Sequence, residues 1–187
     1  MASPDTPDLT QLPWLLELRN DLLSITTAAA RELWPSHNPA IPCFNYRYEH
    51  VKQVEREALR LRQQAGGDAE VLLAAVWLHD RFQPAFRGDN HGLRAAAWAR
   101  DSLPRLGFSS GKTRLVCDCV DRHSSPFGEL PQTPPEPRLL WDADKLAHLG
   151  PGGDAALAEQ TGCGYSRQTG SRPGVPERTQ RARPDLD

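Results

Sequence analysis

Four ionisable residues of this 187-residue chain stand where helical periodicity expects apolar side chains. His50 shares a stripe with Val54, Ala58 and Leu61, and His79 follows Val76, Ala75 and Leu72 by three, four and seven positions. Asp80 comes directly after His79, and Asp144 sits between Leu140 and Ala147 at helical spacing. Taking such groups out of water costs free energy that a partner must return. Two imidazoles and two carboxylates converging from three helices can hold a divalent cation through mixed N and O ligands. Such a set leaves coordination positions open, which is the arrangement that metal-assisted catalysis requires. A single inward histidine is ordinarily a hydrogen-bonded core residue, so the ordered set carries the argument rather than any one member.

The elements that must position these residues read as helices, because the intervals between the Pro and Gly clusters carry a 3.6-residue period and no alternation. From Pro13, Leu15, Leu18, Leu22, Ile25, Ala29 and Leu33 advance by threes and fours until Pro35. A second amphipathic helix runs from about Asn45 to Gln64, with Val51, Val54, Ala58 and Leu61 inward, and stops at Gly66-Gly67. Asp68 can cap the next, whose run Val71 to Leu78 is apolar on every side and so predicts a central helix. Further helices are expected from about His91 to Arg105, from a Ser109 or Ser110 cap to His123, and from Arg138 to Leu149, with a Pro-rich loop over residues 124–137. The expected architecture is all-α, a bundle of about six helices: residues 1–12 flexible, 13–150 one domain, and 151–187 a tail rich in Gly, Pro and Arg.

Composition narrows the function classes. With 22 Lys+Arg against 24 Asp+Glu, the chain lacks the basic excess that grips a nucleic-acid backbone, so duplex binding is not expected. No basic leader precedes an apolar run, and no stretch reaches the roughly 18 apolar residues of a membrane span, so a cytoplasmic protein without a membrane partner is expected. Four cysteines form no C-x2-C pair, and Cys117 and Cys119 point apart on a helix; reduced, partly buried thiols are the expectation. The segment Gly107 to Thr113 imitates a phosphate-binding loop, but three residues separate its glycines where four are needed and no strand precedes it.

The stretches Asn45-Tyr46-Arg47-Tyr48-Glu49-His50, Trp77-Leu78-His79-Asp80 and Trp141-Asp142-Ala143-Asp144-Lys145-Leu146 resemble the H…HD…D signature of the HD superfamily of metal-dependent phosphohydrolases, over residues 40–150. The resemblance implies an HD-type helical bundle in which His50, His79, Asp80 and Asp144 bind one divalent metal, whether Mn, Fe, Co, Ni, Zn or Mg. The Asp-Lys-Leu ending selects Asp144 over Asp142, which is left a supporting or alternative role. The chemistry implied is hydrolysis of a phosphate ester by metal-activated water, with a small phosphorylated metabolite, a nucleotide or another phosphomonoester, as substrate. Asp80, His123 and Lys145 are the candidate catalytic residues. Lys145, Arg47 and Arg81 adjoin the ligand motifs and are candidate phosphate donors. His123, on the stripe Val116, Val120, His123, and His91, about a dozen residues after the doublet, match positions where some members carry extra histidines that orient phosphate or bind a second metal. Glu49 can orient water or face solvent, while His37 and His148 look peripheral. The alternative is a catalytically silent or truncated module of the same fold that binds a nucleotide or a protein partner.

After Asp144 the family resemblance leads one to expect further helix, whereas Gly150-Pro151-Gly152-Gly153 opens a polar tail, either an extension or the product of a shifted reading frame. Val175, Ala182 and Leu186 are the only aliphatic residues after Tyr165, too few to offset the entropy of ordering that segment. Limited proteolysis is therefore expected to cut first within residues 165–187; resistance of that segment in the isolated protein would contradict this reading.

Overall fold

A computed structural model describes residues 11–33, 45–83, 90–125, 130 and 133–149. Six α-helices occupy them: α1 Pro13–Leu33, α2 Tyr46–Ala65, α3 Ala69–Leu78, α4 His91–Ser102, α5 Ser110–Arg122 and α6 Glu136–His148. No strand occurs among the described residues, and the all-α architecture expected from periodicity is what they form. Of the N-terminal residues 1–12 expected to be flexible, 1–10 lie outside the described residues, as do the C-terminal tail, His37, Cys43 and Cys163, while Leu12 packs against the core.

Helix α3 is the axis of the bundle. All of Val71 to Leu78 is buried, and α3 touches each of the other five α-helices. Asp68 caps it, its carboxylate accepting from the backbone N–H of Glu70 (2.9 Å) and Val71 (3.2 Å). A second carboxylate from α6 holds the same end: Glu136 Oε1 accepts from Asp68 N–H at 2.6 Å. That approach needs Gly67, which has φ +102° and where an added Cβ would lie 3.0 Å from Glu136 Oε1. The far end of α3 is then fixed in depth as well as direction, and it is there that His79 and Asp80 follow.

The outer helices depart from expectation at three places, each for a local reason. On α1, Thr26 (1% exposed) and Ala30 take the inward positions assigned to Ile25 and Ala29. Thr26 can be buried because its hydroxyl donates to Leu22 O (2.8 Å) and accepts from Asn45 Nδ2 (2.8 Å). Asn45 is also the N-cap of α2, accepting from Tyr48 N–H, so one side chain sets where α2 begins against α1. Helix α4 ends at Ser102 and continues as a 3-10 turn over Leu103–Leu106, since Pro104 has no N–H to extend the α pattern. Helix α6 starts two residues early, at Glu136, because Pro137 falls in the first turn, where its missing N–H is not needed.

Cys117 and Cys119 are free and buried; Cys117 Sγ–H donates to Ala96 O at 3.3 Å, and burial pushes both thiols above their ordinary pKa. They diverge around α5 as their spacing predicts.

The Asp68 cap carries a pH signature. Burial would raise its carboxyl, but the Lys112 ammonium at 3.0 Å and the two backbone N–H groups outweigh this and lower it. A carboxyl that titrates lower in the folded chain stabilises fully above its unfolded value of about 3.9 and loses that contribution as pH falls through the folded value. Asp68→Ala is expected to cost about 1 kcal/mol in urea unfolding at pH 7, a difference from wild type that shrinks in acid.

Candidate metal centre

The site forms where the C-terminal end of α3 meets α2, α5 and α6. His79 is the last residue before the chain turns away, with its N–H on Ala75 O, and its imidazole is 0% exposed. Its Nδ1 lies 2.7 Å from Val76 O. A carbonyl oxygen only accepts, so Nδ1 carries a proton and Nε2 is the ring nitrogen turned to the cluster. That buried Nε2 has no hydrogen-bond partner among the described residues. It faces Asp80 Oδ2 at 3.5 Å and Asp144 Oδ1 at 3.8 Å. His50 completes the ring of donors, its Nε2 3.1 Å from Asp144 Oδ1 and 3.8 Å from Asp80 Oδ2.

These spacings suit a shared cation. Metal–ligand bonds of about 2.1 Å put neighbouring ligand atoms about 3 Å apart and opposite ones about 4 Å apart, the interval into which all four distances fall. His50, His79 and Asp80 form one group able to hold a metal ion. A ring nitrogen aimed at two carboxylates without a hydrogen bond is a poor arrangement by itself and a good one around positive charge, so the donor set fits a divalent metal.

Asp80 divides its two oxygens. Oδ2 faces His50 and His79, while Oδ1 lies 3.7 Å from His91 Nε2 and 3.8 Å from His123 Nε2. Asp80, His91 and His123 are a further potential metal group. His123 repeats the device of His79: Nδ1 lies 2.6 Å from Val120 O, which leaves Nε2 bare, 2.9 Å from His91 Nε2. Burial, assisted by His79, pushes the His123 imidazole below its ordinary pKa, with Asp80 opposing, so it is neutral at pH 7.

Both carboxyls are ionised. Burial opposes the charge of Asp144, but hydrogen bonds from His148 and His50, with His79 and Lys145 nearby, hold its pKa far below the ordinary range. At Asp80 burial is likewise outweighed by His79, His50 and His123. The hydrogen bond to Asp144 raises the His148 pKa.

The structure sorts the remaining candidates. Lys145 Nζ is 2.8 Å from Asp144 Oδ2, with its side chain 43% exposed, at the rim of the cluster. Asp142 points elsewhere, 3.8 Å from Arg138, in a groove between α2 and α6. Glu49 pairs with Lys52 in solvent. Arg81 is turned away from the cluster, its guanidinium on Asp21 of α1 and 4.1 Å from the Trp98 ring, where it ties the doublet's turn to the bundle. Arg47 is buried and donates to Gln83 O.

Two residues at the site escaped the sequence reading. His148 is not peripheral: its Nε2 is 3.3 Å from Asp144 Oδ1, and its ring lies 4.6 Å from that of His50. The i,i+4 spacing from Asp144 was the available signal. Gln83 Nε2 lies 3.1 Å from the His91 ring nitrogens, and nothing in its irregular sequence context pointed there.

The family model of the HD domain matches residues 47–149, more than half of the chain. The chain belongs to the HD-domain family. Every residue of both donor groups lies inside the matched HD segment. No curated protein and no solved structure matches the chain.

Within this HD domain, Gly92 sets the spacing of the second group. An added Cβ there would lie 2.9 Å from Val120 O, so only glycine lets the start of α4 approach α5 closely enough to bring His91 to His123. Gly92→Ala is expected to cost about 1–3 kcal/mol, read as a lower Tm by circular dichroism. An unchanged Tm would show that the two helices separate without penalty.

Proposed function

We propose that the protein is a metal-dependent phosphohydrolase that cleaves a small phosphorylated metabolite, a nucleotide or another phosphomonoester. Membership of the HD family, whose members are generally metal-dependent hydrolases, supports the class. The observation that carries the reading is His79 Nε2, a buried ring nitrogen with no hydrogen-bond partner among the described residues, facing two ionised carboxylates. His50, His79, Asp80 and Asp144 would hold the cation, which when bound acidifies a water molecule and neutralises charge on phosphoryl oxygens.

The chain's own residues supply the rest. Asp80 joins the two groups through a single carboxylate, so a phosphate held by His91 and His123 would adjoin the four ligands. His123, neutral and with Nε2 free to accept, can take a proton from the attacking water or relay one from His91 to the departing alcohol oxygen. A P–O bond to water forms, the ester P–O bond breaks, and inorganic phosphate and an alcohol leave. Lys145, half-exposed beside Asp144, can place its ammonium against the phosphate. No helix among the described residues is long and apolar enough to cross a membrane, and the proposed partner is a small molecule.

Elemental analysis of the purified protein is expected to find bound divalent metal in wild type and little in His79→Ala or Asp80→Ala. Phosphate release from a nucleotide panel with Mn2+ is expected for wild type alone. Metal without turnover of any phosphoester would favour a silent binding module, and a folded wild type that takes up no metal would sink the site.

A further inference from the structure

The H…HD…D pattern accounts for His50, His79, Asp80 and Asp144, but not for the imidazole one helical turn beyond Asp144. His148 projects from the last turn of α6, four residues after Asp144, and i,i+4 side chains on a helix stand one above the other. Its Nε2 lies 3.3 Å from Asp144 Oδ1, the oxygen that His50 Nε2 approaches at 3.1 Å. The His50 and His148 rings lie 4.6 Å apart at 30°, so the two imidazoles present the same nitrogen to the same oxygen from adjoining positions. His50, Asp144 and His148 each offer a ligand atom within 4.8 Å of the others.

We propose that His148 is an additional ligand of the metal centre, contributing Nε2 beside Asp144 and His50. The inference rests on the metal-dependent reading above and adds to it a donor that the HD motif does not contain. Its chemical consequence would be a third imidazole nitrogen beside those of His50 and His79, with His50 common to the group of His148 and Asp144 and to the group of His79 and Asp80. Imidazole suits Co2+, Ni2+, Zn2+ and Fe2+, whereas Mg2+ takes oxygen ligands and dehydrates reluctantly. The added nitrogen therefore biases this centre toward transition metals and away from Mg2+.

A competing account makes His148 only a hydrogen-bond partner of Asp144. The two differ in what another side chain can replace. As a partner alone, His148 acts through its hydrogen bond to Asp144, which a second donor can supply, so metal affinity stays at its wild-type value. As a ligand, its nitrogen has no such substitute, and affinity falls. His148→Gln separates them, because an amide can still donate to Asp144 but is a poor substitute for imidazole nitrogen. The side chain is 37% exposed at the end of a helix, so the variant keeps the fold, which circular dichroism verifies.

The experiment is calorimetric titration of metal-free full-length protein with Co2+ and with Mg2+, for wild type, His148→Gln and His79→Ala, with the visible spectrum of each Co2+ form. His148→Gln is expected to weaken Co2+ binding roughly tenfold or more, a scale that even residues supporting metal ligands reach. It should also alter the Co2+ absorption bands and narrow the preference for Co2+ over Mg2+. Wild-type Co2+ affinity and spectrum in His148→Gln, with binding lost in His79→Ala, would overturn the role of His148 alone. Absence of Co2+ binding in wild type would overturn the metal-dependent reading and this proposal with it.

Discussion

Burial of α3 on every side is the constraint from which the rest of the molecule follows. A helix with no polar face is stable in water only when other helices cover it all round, and α1, α2, α4, α5 and α6 do so. Each covering helix must turn its own apolar stripe toward the same axis. The polar residues embedded in those stripes, His50 on α2, His123 after α5 and Asp144 on α6, are thereby carried toward the end of α3 where His79 and Asp80 emerge. The convergence of ionisable groups is thus a product of the hydrophobic effect, with no attraction among them needed to assemble it.

The electrostatics of the cluster then set its chemistry. The carboxylates of Asp144, buried, and Asp80, half-buried, repel, and each is costly to desolvate. His79 and His123 each spend the Nδ1–H on a backbone carbonyl one turn earlier, Val76 and Val120. The same backbone bonds fix the ring orientations, so both Nε2 atoms are aimed before any ligand arrives. Positive charge is what such a cluster lacks, and Lys145 brings an ammonium to its rim.

Several residues act on the site without entering it. Glu136 and Gly67 fix the start of α3, Asn45 fixes the start of α2, and Arg81 holds the turn after the doublet through Asp21 and Trp98. Gly92 brings two helices together so that two histidines meet. Arg81 shows why proximity in sequence is a poor guide to role: one residue beyond a ligand, in a tight turn, its side chain leaves on the opposite side.

The sequence by itself determined the helical class, the central place of α3, the caps at Asp68 and Ser109, and the inward direction of His50, His79 and Asp144. These follow from periodicity and local hydrogen bonding, which short windows of residues contain. It also carried the HD signature, since ligand types and their order survive without coordinates. Tertiary structure alone decided that Asp142 turns to Arg138, that Asp80 spans two groups of histidines, and that Thr26 is buried. It also decided that His148 and Gln83 belong to the site while Arg81 does not. Each of those outcomes depends on the distance between helices and on the rotation of one against another. These quantities are set by side-chain volumes at contacts such as Gly92 with Val120 and Gly67 with Glu136, between residues remote in the chain.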